Sequence, residues 1–332
     1  MIGSSFVNIL DPVTLRDPVI CFAHIAYQFS WVFLLQKTGI KHFEVRSFFD
    51  LESRINDIDV LVVSGLWKNS LLEKANRLRL VQSISAGIDQ YDVNLFKELN
   101  VRLASGRGVN AQAVSEHALG LMLSLSRQLY LFRDFQKKKF WRPMVGDIKK
   151  REGELSGKIL LIVGLGVIGQ RIAQLAKAFD MHVIAIRENV SKGNLGADEV
   201  HSPEKLSMLL PKIDLLILSC PLTDKTRGLI DWKELQLMKS SAFLINVSRG
   251  AVINEQALYK ALKDREIKAA AADVTSDEPL SKRSPLWDLN NFILTPHSGG
   301  ETQCYEQNVI DVMLENLSRL QRGETNLLNQ IV

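Results

Sequence analysis

Between residues 158 and 296 short apolar runs alternate with helical stretches: KILLIVG, HVIAI, DLLILSC, AFLINVS, AAAADV and FILTP. Runs this short and this apolar suit strands covered on both faces, and strands separated by helices assemble into a parallel sheet. The first run leads into LIVGLGVIGQRIAQLAKAF, so Gly164, Gly166 and Gly169 stand at the end of a strand and the start of a helix. A lone G-x-G-x-x-G triplet is weak evidence, but in that setting it marks a dinucleotide-binding turn. Gly164 allows the tight turn, Gly166 lets the backbone approach a pyrophosphate, and Gly169 lets helix and strand pack closely. The N–H groups around Val167 and Ile168, at the positive end of the helix, then meet the phosphate charge.

A less regular alternation runs from about residue 59 to 105, through DVLVVSG, NSLLEKANRL, LVQSISAG, VNLFKELN and VRLAS. The 332 residues therefore suit two α/β domains. NAQAVSEHALGLMLSLSRQLYLFRDFQ is longer than the usual ~25-residue limit of a globular helix, which predicts a bend or a helix shared with a partner subunit. The helical TQCYEQNVIDVMLENLSRLQRG is expected to return to the first domain. ICFAHIAYQFSWVFLL, interrupted by His24, Gln28 and Ser30, reads as a buried helix rather than a membrane span. MIGSSFVNIL has no basic flank before an apolar core, so no secretory leader is expected.

Composition removes several classes. Lys and Arg number 41 against 37 Asp and Glu, and apart from Lys137, Lys138 and Lys139 these charges are scattered, so nucleic acid is not an expected partner. Cys21, Cys220 and Cys304 lie far apart without paired or metal-ligand spacing; neither a disulfide framework nor a metal site is expected, and a reducing cytoplasm fits.

The strand VIAIREN should end in the acid that holds the ribose hydroxyls of NAD, about 20 residues past the glycines, and Arg187 stands there instead. A guanidinium suits a 2'-phosphate, so NADP(H) is the favoured cofactor, with NAD(H) still open through Glu188. Three later strands end in Arg249, Glu278 and His297. Residues just past the carboxyl ends of strands line the ligand crevice of an open parallel sheet. Reducing a 2-oxo acid requires a proton donor for the carbonyl oxygen and a cation for the carboxylate. His297, with Glu278 beside it, fits the first role and Arg249 the second. Trp67, after a strand of the first domain, is a candidate specificity residue.

The blocks ELSGKILLIVGLGVIGQRIA, CPLTDKTRGLI, INVSRGAVINEQALYKAL, AADVTSDEPL, SPLWDLNNFILTPHSGG, SISAGIDQYD and NAQAVSEHALGLML resemble the D-isomer-specific 2-hydroxyacid dehydrogenase family. That family includes glyoxylate and hydroxypyruvate reductases. The resemblance runs from about residue 60 to the C-terminus and implies a doubly wound nucleotide-binding sheet over residues 106–299. It also implies a flavodoxin-like, discontinuous substrate domain from residues 1–105 and 300–332. By it Arg249, Glu278 and His297 match the catalytic positions, Asp273 a ligand of the nicotinamide carboxamide, and Thr223 a position near the cofactor phosphates. The amides of Ala86, Gly87 and Ile88 match an anchor for the substrate carboxylate, supplied by the other domain. Asn254 and Arg265 depart from the pattern, where Asp and Gly are usual.

The expectation is thus a cytoplasmic homodimeric reductase of small 2-oxo acids such as glyoxylate or hydroxypyruvate, giving D-2-hydroxy acids. Two alternatives stand beside it: an NAD-dependent dehydrogenase of a larger acid, and a nucleotide-sensing regulator of the same fold.

Overall fold

The computed structural model describes residues 15–332; MIGSSFVNIL, and the expectation about a leader, lie outside them. The chain divides into two compact units. One holds the described residues up to Asn110 and resumes at Thr302, and the other is Ala111–Glu301. The breaks fall a few residues beyond those drawn from the sequence, because 106–110 stay with the first unit. Gly106 N–H donates to Ser85 O at 2.8 Å, Asn308 Nδ2 donates to Val109 O at 2.7 Å, and Val109 is buried in that unit's core.

Unit 1 is a parallel sheet of β1 (Ile20–Ala23), β2 (His42–Val45), β3 (Val60–Val63), β4 (Leu80–Ser83) and β5 (Arg102–Ala104), in the order β2-β1-β3-β4-β5. That is the flavodoxin order. Helices α1 (Phe29–Leu35), α2 (Phe48–Arg54) and α3 (Val93–Glu98) connect the strands. The expected buried helix at ICFAHIAYQFSWVFLL is corrected. Its first four residues are β1, paired with β2 and β3 and buried on both faces, and only Phe29–Leu35 is helical. A continuous apolar run cannot by its period distinguish a doubly covered strand from a buried helix.

Unit 2 opens with α4 (Ala111–Ser126) and α5 (Leu129–Lys137), separated at Gln128, whose φ of 55° lies in the left-handed region. The long helix of the sequence thus bends at one residue. There follow β6 (Ile159–Val163), α6 (Val167–Lys177), β7 (His182–Ile186), β8 (Glu199–His201), α7 (Leu206–Leu209) and β9 (Leu215–Leu218). Next come α8 (Trp232–Leu237), β10 (Phe243–Asn246), α9 (Glu255–Lys263), β11 (Ala269–Ala272) and β12 (Phe292–Leu294), and α10 (Tyr305–Gln321) belongs to unit 1. All pairings in this sheet are parallel, in the order β12-β11-β10-β9-β6-β7-β8, so the strand order reverses between β6 and β9. The sequence anticipated six of the seven strands. β8 was missed because it is three residues at the sheet edge with charged, part-exposed side chains and no apolar run.

Alternation along the central strands builds both cores. Leu161, Val163, Leu216, Leu218 and Leu244 face one layer, and Leu160, Ile162, Leu215, Ile217 and Ile245 face the other. Losing one such leucine to alanine costs about 2–5 kcal/mol. In unit 1, α10 covers one face through Val309, Ile310, Met313 and Leu317, which is why the chain returns there. At the amino edge of the second sheet, Asp214 accepts from Ile159 N–H at 2.9 Å and from Lys239 Nζ at 2.9 Å. Burial pushes the Asp214 carboxyl up, but those two donors outweigh it and hold it below its ordinary value. Among the described residues no helix is long and apolar enough to cross a membrane.

Candidate active site

The carboxyl edge of the second sheet gathers most of the expected residues. Gly164, at φ 103°, makes the turn after β6, and a Cβ there would stand 2.5 Å from Cys220 N. A Cβ on Gly169 would overlap Gly164 O, so α6 can start this close to β6 only with glycine at that position. A Cβ on Gly166 would meet nothing within 4 Å. The backbone there faces open space beside the first turn of α6, where the N–H groups of Val167 and Ile168 have no partner within the helix.

Arg187 follows β7. Its N–H donates to His201 O at 3.0 Å, while its Nη1 is buried and has no hydrogen-bond partner among the described residues. The next residue, Glu188, accepts from Lys225 Nζ at 3.2 Å. Thr223, in the loop after β9, is engaged in a turn: its N–H donates to Thr226 Oγ1 at 2.8 Å, and its own hydroxyl lies 3.1 Å from that atom.

Past β10, Asn246 shapes the turn that carries Arg249. Its Oδ1 accepts from Ser248 N–H at 3.0 Å and Ser248 Oγ at 2.7 Å, and its Nδ2 donates to Arg249 O at 2.9 Å. Arg249 Nη1 donates to Ser248 O at 2.8 Å. A Cβ on Gly250 would overlap the main chain of Thr275, so the segments that bear Arg249 and Glu278 run side by side.

Asp273, at the end of β11, is nearly fully buried and accepts from Thr295 Oγ1 at 2.6 Å, Ser298 N–H at 3.0 Å and Gly299 N–H at 2.9 Å. With the Thr295 proton spent on Asp273, Thr295 Oγ1 accepts from His117 Nε2 of α4 at 2.9 Å. A Cβ on Gly299 would lie 2.7 Å from Asp273 Oδ2 and 3.0 Å from His117 Cδ2, so only glycine fits. This network pins the turn in which His297 takes a left-handed φ of 54°. His297 Nδ1 lies 2.6 Å from Glu278 Oε2, and Glu278 Oε1 accepts from Thr275 N–H at 3.0 Å. Both side chains remain reachable, 47% and 37% exposed. Beside them opens a cavity of about 620 Å³, with Pro279, Leu280, Trp287, Leu294 and Pro296 in its wall.

Residues 119–299 match the model of the NAD-binding domain of D-isomer specific 2-hydroxyacid dehydrogenases. The glyoxylate reductase of Aeropyrum pernix is 36% identical over 79% of this chain and 79% of its own. The chain belongs to the D-isomer specific 2-hydroxyacid dehydrogenase family. It is a dehydrogenase or reductase of the CH–OH group that works with a nicotinamide cofactor. The D-3-phosphoglycerate dehydrogenase of Methanocaldococcus jannaschii is 35% identical over 83% of this chain, which spans only 52% of that relative's length. Among solved structures, a D-isomer specific 2-hydroxyacid dehydrogenase family protein from Aeromonas salmonicida superposes with a TM-score of 0.83 at 28% identity. The match covers 96% of this chain and 99% of that one.

In this dehydrogenase the glycine turn suits a dinucleotide on structural grounds. Gly166 leaves room, α6 supplies free N–H groups, and Arg187 has an unpaired guanidinium nitrogen. In unit 1, Ala86, Gly87 and Ile88 form the loop after β4, and their N–H groups have no acceptor among the described residues. Trp67 is a correction. It is 6% exposed, its ring packs on Phe96 at 5.4 Å and Tyr91 at 5.3 Å, and its Nε1 donates to Asn69 at 2.9 Å. The indole is spent on the core of unit 1 and has no face left for a substrate. His117 was missed: it stands within NAQAVSEHALGLML, where nothing in the local pattern separates it from a helical surface histidine. Asn254 and Arg265 hold structural posts. Asn254 caps α9 through Gln256 and Ala257 N–H, and Arg265 takes the left-handed φ of 61° that a glycine would adopt freely.

Proposed function

We propose that this enzyme reduces small 2-oxo acids, of the size of glyoxylate or hydroxypyruvate, to D-2-hydroxy acids with NADPH. The observation that carries the reaction is the His297–Glu278 contact at 2.6 Å. With Nδ1 held by a carboxylate that is itself held by Thr275, the ring is fixed and Nε2 faces outward as the proton donor to the carbonyl oxygen. Arg249 pairs with the substrate carboxylate and polarises the carbonyl. When bound, the reduced nicotinamide supplies the hydride that C2 receives. Asp273 keeps the His297 turn in place and has an oxygen near Gly299 for the carboxamide.

Unit 2 is the proposed nucleotide domain and unit 1 the proposed substrate domain, in which the N–H groups of Ala86, Gly87 and Ile88 suit an anionic group. Neutral Ser64, Ser85 and Gln90 adjoin that loop, with the two hydroxyls 2.5 Å apart. That setting suits a small, uncharged substituent on C2 better than a phosphate. NADP is favoured by Arg187, whose guanidinium lacks the partner that a 2'-phosphate would provide. An exposed apolar series after α4, with Trp141 94% and Met144 100% exposed, supports a homodimer. The free cysteines Cys21, Cys220 and Cys304 suit a cytoplasmic location.

The test is steady-state reduction of glyoxylate, hydroxypyruvate, pyruvate and bulkier 2-oxo acids, each with NADPH and with NADH. The highest kcat/KM is expected for the two smallest polar acids with NADPH. Turnover of none of them would defeat the reading.

A further inference from the structure

The loop after β9 places a cation on Glu188, the residue that follows Arg187. Lys225 Nζ stands 3.2 Å from Glu188 Oε1, and the two side chains are 78% and 66% exposed. An ion pair this open is weakly held, so another anion can take either partner. One residue earlier, Arg187 is fixed at its base by the bond from its N–H to His201 O, while Nη1 stays buried and unpaired. Lys225 from one loop thus meets the acid that follows Arg187 on another, and Glu204 also lies within electrostatic reach of the lysine.

We propose that Lys225 is a second cation for the 2'-phosphate of NADPH, and that Glu188 is an internal anion which this phosphate displaces. The inference rests on the NADP reading of Arg187 above. A phosphate monoester carries about −1.5 to −2 charges near neutral pH, more than a carboxylate, and its three oxygens can bond Arg187 and Lys225 together. NADH brings two neutral hydroxyls to the same place. They cannot replace Glu188 on Lys225, so the pair opposes NADH binding only if Glu188 must turn to the ribose. The lysine thereby adds to the discrimination that Arg187 begins, and it explains where the acid that follows Arg187 is kept.

The test compares binding of 2',5'-ADP and 5'-AMP to the full-length protein by calorimetry, with fluorescence titration of NADPH and NADH alongside. Lys225→Met should cut the preference for 2',5'-ADP over 5'-AMP about tenfold. Glu188→Gln should raise that preference about threefold, because it removes the competing anion. The double variant should match Lys225→Met alone, since Glu188 competes only through the lysine. Equal weakening of both nucleotides by Lys225→Met, or no gain in Glu188→Gln, would overturn the exchange. If the wild type shows no preference and Arg187→Asp changes nothing, the NADP reading itself falls and takes this inference with it. If Arg187→Asp abolishes a clear preference that Lys225→Met leaves intact, the NADP reading stands and only the exchange is wrong.

Discussion

The two ends of one sheet edge are built differently. Past β10, β11 and β12 the four expected site residues each have a holder: His297 has Glu278, Glu278 has Thr275 N–H, Asp273 has three donors, and Arg249 has Ser248 O. Past β7, Arg187 has an unpaired buried nitrogen, and Glu188 and Lys225 share an open ion pair. Groups that stabilise a transition state gain by being in place beforehand, because reorganising them during the reaction would raise the barrier. Groups that only recognise a ligand can be left for the ligand to complete. The cost is small at a solvated edge, where an exposed pair contributes about 0–1 kcal/mol.

Four substitutions probe that contrast. The largest effect is expected at the held end, where His297→Ala should lower kcat about a thousandfold while the cofactor Kd changes little, read by single-turnover hydride transfer. An unchanged kcat would remove His297 from the chemistry. Arg249→Ala should cost about a hundredfold in kcat/KM, mostly as a raised KM for the 2-oxo acid, and steady-state kinetics with varied substrate separates the two constants. At the open end, Arg187→Asp should shift the ratio of NADPH to NADH affinity about tenfold or more toward NADH, with kcat nearly preserved once the cofactor saturates. A fall in kcat of the same size would mean that the two ends are not independent.

The smallest effect belongs to the opposite edge of the sheet. Asp214→Asn should lower stability by about 1 kcal/mol at neutral pH, measured by denaturant unfolding. The sign follows from linkage. The folded-state pKa of Asp214 is depressed, so its contribution is present above the unfolded carboxylate value and is lost as pH falls through the folded value. Wild type and variant should therefore converge below about pH 4. Catalytic constants per folded molecule should not change, since the Asp214 carboxylate bonds Ile159 N–H and Lys239 Nζ, at the edge of the sheet opposite the site.

Much of this was legible in the sequence, for reasons that differ by residue. The glycine turn was readable because each of its three positions answers a separate steric demand, and Gly164, Gly166 and Gly169 show three different surroundings. The ends of β10 to β12 were readable because strand termini in a parallel sheet share one edge. The first strand was not, since ICFA is as apolar as a buried helix and lacks a period to betray it. Trp67 misled because position after a strand says where a residue starts but not which way its ring turns, and Phe96 and Tyr91 claim it. His117 and Lys225 were invisible for a common reason. Each acts on a residue far away in the chain, Thr295 and Glu188 respectively, and no local spacing encodes such a meeting.

Gly250 and Gly299 set a limit of another kind. A single added methyl at either position runs into main chain or into the Asp273 carboxylate. Such overpacking typically costs about 1–3 kcal/mol and would move the segment carrying His297, the proposed proton donor, or Arg249. Lys225 stands in a solvated loop and Arg187 is part-exposed, so substitution at either disturbs less packing. If Arg187 and Lys225 choose the cofactor as proposed, a lineage descending from this chain can change that choice by single steps, while the turns that bear Arg249 and His297 are locked by two hydrogens that evolution cannot enlarge.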